Sequence, residues 1–292
     1  MALDRPSTAL ARRLGIELRQ YRESAGLSTT QAAEALDCTK GKISRMENGR
    51  VLVRTPDVAA LLRTYGITDA GTYRRLSTLA RTAHPKREQR WWDEYDAVLT
   101  PTYRDYIATE SLAEQIDTAH LGLIPGLLQT REYARAVADT PRTKRSPQRL
   151  DQFVEVRAIR QRRLTDPDGP VTFRAVISEA ALRQQVANEV VMARQLEHIE
   201  KLATDQPNVT VQVLPFTSGP HPCLLGSFLI LTLSEESGIV VALHESPVGN
   251  MLREREEDVQ AFQEVFADAQ SCALAPKDSL ALIHRVAQEY RS

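Results

Sequence analysis

A chain of 292 residues, 42% hydrophobic and 26% charged, has the make-up of an ordinary globular protein and length enough for two domains. No stretch approaches the roughly 20 apolar residues of a membrane helix, and the N-terminal MALDRPSTALARRLG lacks the apolar core of a signal peptide, so the expectation is a cytoplasmic protein without a membrane partner. The net charge of −1 conceals an asymmetry: residues 1–90 hold 17 Lys/Arg against 9 Asp/Glu, and residues 91–292 hold 20 against 29, so a basic part suited to a polyanion precedes an acidic one.

The first 80 residues read as consecutive short helices. Leu10, Leu14, Leu18 and Tyr21 lie on one helical face, and Gly26 ends that helix. Ser28-x-x-Gln31 is a capping-box pattern opening a second, short helix with Ala32, Ala33 and Leu36 inward. Asp37-Cys38-Thr39 is a turn, with Thr39 as N-cap of a third helix. Ile43 and Met46 give that helix its buried side, and Gly49 stops it. A fourth helix starts near Pro56 and carries Val58, Leu61, Leu62 and Tyr65; a fifth covers Tyr73 to Ala83.

Two short helices joined by a tight turn, the second exposed and basic, meet the requirements of a helix-turn-helix. With Ile43 and Met46 inward, Lys40, Lys42, Ser44 and Arg45 are left to face base edges in the major groove, where Lys and Arg match guanine. Gly41 permits close approach and carries no code.

His84-Pro85-Lys86-Arg87 reads as a linker, giving a helix-turn-helix domain over 1–84, a linker over 85–90 and a second domain over 91–292. Trp91-Trp92 follows, suited to packing at the start of the second domain or between domains, or to stacking on a ligand. Helical stretches dominate to about Leu164. Val171–Ser178, Val209–Phe216, Gly226–Leu233 and Gly238–Glu245 then read as strands, with a long helix from Glu189 to Ala203 carrying Val190, Val191, Leu196, Ile199 and Leu202, and two helices closing the chain. The expected fold class is an all-α N-terminal domain of about five helices and an α+β or α/β C-terminal domain of about four strands.

The second part carries no GxSxG, Walker loop or GxGxxG, and its histidines show no HxxxH or HxH spacing. Cys38, Cys223 and Cys272 are odd in number and far apart, which favours reduced, mostly buried thiols over disulfides or zinc. No catalytic residue, metal or cofactor is assigned. Glu179 after the first strand, His221 in a Gly-Pro-His-Pro loop and His244 at the end of the last strand are either an acid/base set or loop and cap groups. With Trp91 and Trp92 they form the candidate ligand or partner surface. Gly219–Leu225, bounded by Pro and Gly, is a candidate lid or partner loop.

Thr30-Gln31-x-Ala33-x-x-Leu36 followed by Ser44-x-Met46-Glu47-Asn48-Gly49 resembles the XRE family, the lambda-repressor-like helix-turn-helix domains, from about Leu10 to Tyr65. The resemblance implies phosphate contacts from Gln31, Thr39, Arg50 and Arg54, and binding to double-stranded DNA as a homodimer. Further on, Ile124-Pro125-Gly126-Leu127-Leu128-Gln129-Thr130-x-x-Tyr133-Ala134 resembles the signature of a domain of unknown function found in actinobacterial XRE regulators. Arg160-Gln161, Ser178-Glu179-Ala180-x-Leu182-Arg183, Met192-x-x-Gln195-Leu196-Glu197-His198 and Val211-Gln212-Val213-Leu214-Pro215-Phe216 continue it. Such regulators include WhiJ-like developmental regulators and antitoxin-like proteins. The resemblance implies a transcription regulator whose C-terminal domain senses a small-molecule effector or a small protein encoded nearby. The alternatives are an antitoxin-like protein that neutralises a small partner and regulates itself, and an enzyme targeted to DNA.

Overall fold

The computed structural model describes residues 8–83, 90–139, 145–234, 238–245 and 251–292; the expected linker, 85–90, lies almost wholly outside them. The chain divides into two compact units, the first comprising Met1–Trp91 and Leu233–Ile239, the second Trp92–Thr232 and Val240–Ser292.

The first unit contains five helices: α1 (Ala9–Ser24), α2 (Thr29–Ala35), α3 (Lys40–Glu47), α4 (Thr55–Thr64) and α5 (Ala70–Thr82). Leu14, Leu18, Ile43, Met46, Val58, Leu61, Leu76 and Leu79 are buried in it. The expected capping box is present: Ser28 Oγ accepts from Gln31 N–H at 3.3 Å, and Gln31 Oε1 accepts from Ser28 N–H at 2.9 Å. The fifth helix starts earlier than Tyr73 because Asp69 caps it, accepting from Thr72 N–H at 2.6 Å.

Helix α3 ends on Gly49, whose φ of 66° is left-handed. Arg50 N–H reaches Arg45 C=O and Gly49 N–H reaches Met46 C=O, the paired bonds of a Schellman cap. Helix α2 ends the same way, with Cys38 N–H on Ala33 C=O and Asp37 N–H on Glu34 C=O. There the left-handed position falls on Asp37 (φ 46°), a residue whose short polar side chain tolerates it.

A six-stranded mixed sheet, all but the 233–234 and 239 ends of β4 and β5 in the second unit, has the order β3-β2-β1-β4-β5-β6, with β1 Gln115–His120, β2 Thr172–Ser178, β3 Val209–Leu214, β4 Phe228–Ser234, β5 Ile239–His244 and β6 Met251–Arg253. Strands β1, β2 and β3 run parallel, and β4 is antiparallel to β1. The sheet thus has two strands beyond the four expected. Strand β1 falls where helix was expected, because QIDTAH is not an apolar run: Asp117, Thr118 and His120 are all buried. Asp117 is tolerated there by a bidentate pair with Arg174 on β2, both contacts at 2.6 Å, and a bond from Gln115. Strand β6 is only three residues long and largely exposed.

The helices of this unit are α6 (Pro101–Glu110), α7 (Arg131–Ala138), α8 (Pro147–Gln161), α9 (Glu179–Arg183), α10 (Glu189–Asp205), α11 (Glu256–Cys272) and α12 (Pro276–Glu289). Helix α11 covers one sheet face, its Phe266 and Ala269 joining Ala119, Val176, Phe228 and Ile230. The alternate residues, Thr118, His120, Phe173 and Leu229, point to the other face. In α10 the long-helix expectation holds, but Val190 is 57% exposed, and Gln195 is fully buried on the inward face.

Gly15 on α1 marks the tightest helix crossing in the first unit. A Cβ there would lie 2.4 Å from Glu47 C=O and 2.6 Å from Met46 C=O, both backbone atoms that cannot swing aside. Gly15→Ala is expected to destabilise the chain by about 1–3 kcal/mol despite the better helix propensity of alanine. Chemical denaturation of the full chain followed by far-UV circular dichroism checks this; unchanged stability would mean the crossing is looser than described.

Candidate nucleic-acid interface

The turn from α2 to α3 places α3 with Ile43 and Met46 buried at 1% exposure and the opposite side outward. Lys40, Ser44 and Arg45 are exposed, and Lys42 is half-buried. The Arg45 side chain lies back along the helix, its Nη1 3.5 Å from where a Cβ on Gly41 would sit, as long helical side chains lean toward the N-terminus. Thr39 caps α3, its Oγ1 accepting from Lys42 N–H at 3.2 Å. Gln31 spends its Oε1 on the capping box, and its Nε2 donates to nothing among the described residues. Arg50 is exposed just past the cap. Arg54, at the N-terminus of α4, is 70% exposed by side chain and only 3.7 Å from Asp57.

The end of α3 is fixed by a buried ion pair that motif reading did not reveal. Glu47 is buried, and Arg22 of α1 meets it with Nε at 2.6 Å and Nη2 at 3.0 Å. Arg22 Nη1 also donates to Leu27 C=O at 2.7 Å, tying the turn before α2 into the same knot. The hydrogen bond to Glu47 holds the Arg22 guanidinium above its ordinary value against the opposing effect of burial. Tyr65 packs beside the pair with its hydroxyl buried and unpartnered; burial, then Glu47, pushes its phenol far up. Asn48 donates to Ser44 C=O at 2.7 Å, so Glu-Asn-Gly acts as a helix end and as an anchor to α1 together.

The remaining sequence candidates lie in or beside the second unit. Trp91 and Trp92 open a 3-10 helix, Trp91–Tyr95, and Trp92 is only 3% exposed, so it presents no surface. Glu179 heads α9, pairs with Arg183 at 2.7 Å and accepts from Phe216 N–H at 3.0 Å. Its carboxyl is held below its ordinary value: burial opposes this, but Arg183 and the Phe216 amide outweigh it. His221 precedes the 3-10 helix Pro222–Leu225, its Nδ1 buried without a partner. His244 ends β5 against Gly226, where a Cβ would fall 2.8 Å from its Nε2. Among the described residues no hydrogen bond joins Glu179, His221 and His244 to one another, and no group of three His, Cys, Asp or Glu could hold a metal.

The cysteines are free, but only Cys223 is buried; Cys38 is half-buried and Cys272 exposed, which corrects the expectation of mostly buried thiols. Burial pushes the Cys223 thiol up to about 11.

The motif from Ile124 to Tyr133 proves to be a piece of irregular backbone held by side chains. Tyr133 Oη accepts from Ile124 N–H, and Gln129 Nε2 donates to Ile124 C=O at 2.7 Å. Gln161 Nε2 donates to the carbonyls of Gly126 and Gln129. Gln195 bridges Leu128 C=O and Thr130 N–H, both at 2.7 Å. Next to Gln161, Arg160 forms a buried double bond pair with Glu110, at 2.7 and 2.6 Å, and donates to Tyr103 and Tyr106. Motif residues far apart in sequence are therefore one constellation.

These features define a helix-turn-helix protein with a separate mixed-sheet unit. Comparison with known families matches residues 13–73 to a helix-turn-helix domain, XRE-like as the motif suggested, and this domain points to a DNA-binding regulator. Residues 103–285 match a domain of unknown function (DUF5753), and the chain belongs to that family. No curated protein and no solved structure matches. Among the described residues no helix is long and apolar enough to cross a membrane.

Arg22→Met leaves Glu47 charged and buried without its partner, and is expected to cost roughly 3–5 kcal/mol of stability. The double variant Arg22→Met/Glu47→Leu recovers most of that loss, because an apolar pair removes both desolvation costs. Denaturant unfolding of the four proteins of the cycle measures the coupling; additive losses would contradict it.

Proposed function

We propose that the chain is a sequence-specific transcription regulator that lays α3 in the major groove of double-stranded DNA. The observation that carries this reading is the pairing of charges in the first unit. Arg19, Arg22 and Arg75 are engaged with Glu23, Glu47 and Glu17. Lys40, Lys42, Arg45 and Arg50 have no carboxylate partner among the described residues, and they cluster on α3 and its C-terminal cap. Cations left unneutralised on the outward face of a helix suit a polyanion.

In this reading Lys40, Lys42, Ser44 and Arg45 face base edges, and Gln31, Thr39, Arg50 and Arg54 hold phosphates. The free Nε2 of Gln31 and the hydroxyl proton of Thr39, both at helix starts, support the phosphate role. The protein acts as a homodimer in the cytoplasm, on half-sites about one helical turn apart. Residues 1–84 bind DNA, residues 85–90 link, and residues 91–292 sense an effector. A second reading, a small protein as the thing sensed, is favoured by exposed apolar side chains at the strand ends: Phe216, Leu224 and Leu225 are 65%, 60% and 91% exposed.

Arg45→Ala and Arg50→Ala separate the roles. On a duplex selected from a random library, Arg45→Ala is expected to cost about 1–3 kcal/mol and to relax preference at one base position. Arg50→Ala weakens selected and random duplexes alike and lowers the salt slope by about 1. Equal losses on both duplexes for Arg45→Ala would make Arg45 a phosphate contact, and no loss for either variant would remove α3 from the interface.

A further inference from the structure

The second unit holds a cleft on the sheet face opposite α11, between that face, α6, α8 and the 124–129 backbone. It is small, about 90 Å³, and part of it is open to solvent. Its apolar lining includes Leu123, Ile124, Phe173 and Leu229.

One cation on the cleft lining has no carboxylate paired with it among the described residues. Arg160 is neutralised by Glu110; burial works against its charge, and Glu110 with the two tyrosines more than offsets that. Burial holds His120 below its ordinary value, against the pull of Glu245, so it is neutral near pH 7. Arg157 differs from both. Its Nη1 donates to Gln129 Oε1, a neutral acceptor. Its Nε is buried without a partner. Its Nη2 has no partner among the described residues and is not among the enclosed polar atoms. No carboxylate comes within ion-pair distance of it there, and burial pushes its guanidinium below its ordinary value. The ring of Phe153, 4.9 Å from the guanidinium carbon, holds it in place.

Gly126 lies against both guanidiniums: a Cβ there would stand 3.6 Å from Nη1 of both Arg157 and Arg160, in ordinary contact with them. A cation held in a cleft with an unused donor is completed by a planar acceptor of opposite charge. Glu245, 40% exposed by side chain on the same lining and 3.8 Å from His120, acts on Arg157 at a distance without pairing with it, so Nη2 stays open to an acceptor, and Glu245 works against any further negative charge.

We propose that this cleft binds a small organic monocarboxylate, its carboxylate on Arg157 and its apolar body against Leu123, Ile124, Phe173 and Leu229. The proposal deepens the effector-sensing reading, and its binding step stands apart from any effect on DNA.

The test is calorimetric titration of the full chain with benzoate, phenylacetate and hexanoate, using benzamide and inorganic phosphate as controls. At least one carboxylate is expected to bind saturably, with benzamide and phosphate weaker by about ten-fold or more. Arg157→Met loses the preference for carboxylate over amide while its circular dichroism is unchanged. Glu245→Gln, which leaves Arg157 in place, tightens carboxylate binding. The proposal is overturned if no carboxylate binds saturably, if phosphate or benzamide binds as well, if folded Arg157→Met keeps the preference, or if Glu245→Gln weakens binding. DNA affinity is read separately by anisotropy: carboxylate binding that leaves it unchanged upholds the site and removes its sensing role.

Discussion

Two opposite charges, Arg22 and Glu47, lie out of water between α1 and the end of α3, and the placing of α3 depends on them. Each alone would be a costly buried ion, so neither is free to leave the other. The same arginine takes the Leu27 carbonyl, which fixes the turn into α2, and α1 crosses so close that only a glycine fits at position 15. Orientation of α3 is thus set from its C-terminal end, while its capped N-terminus and outward face remain available. Arg22, which sets α3, is neutralised by Glu47, while Lys40, Lys42 and Arg45 on α3 have no carboxylate partner among the described residues.

The second unit meets a related difficulty with polar side chains. Its 124–130 segment is irregular backbone at the edge of the core, without a strand ladder or long helix to take up its amides and carbonyls. Gln129, Gln161, Gln195 and Tyr133 do so from α8, α10 and α7 and from within the segment itself. Unsatisfied groups there would each cost on the order of 1–3 kcal/mol, so loss of any one glutamine loosens the whole wall of the cleft.

Local signals were legible in the sequence. Ser28, Thr39 and Gly49 act within four residues of themselves, and the structure places each as its type requires. The spacing of Leu10, Leu14 and Leu18, and of Ile43 and Met46, marks their buried sides because helix period alone decides them. Long-range compensation was not legible. Strand β1 looks too polar for a buried strand until Arg174, 57 residues on, is seen to satisfy Asp117. Gln195 looks like a surface residue until its two backbone partners are found near position 129. Glu47 stood out by motif, but its partner Arg22 carries no pattern of its own. Val190 fits the apolar stripe of its helix, yet it lies in the first turn, where it faces outward. The resemblance of scattered motifs in the second half was the one signal that pointed to the constellation at 124–133.

The most direct measurement of the central claim, that the free cations of α3 bind DNA and read it, is equilibrium anisotropy of the full chain on selected and random duplexes across rising KCl. Log K is expected to fall linearly with log salt, by a slope of several units. The selected duplex is expected to bind about a thousand-fold or more tighter than the random one at physiological salt. Binding that is independent of salt, or equal on both duplexes, would contradict it.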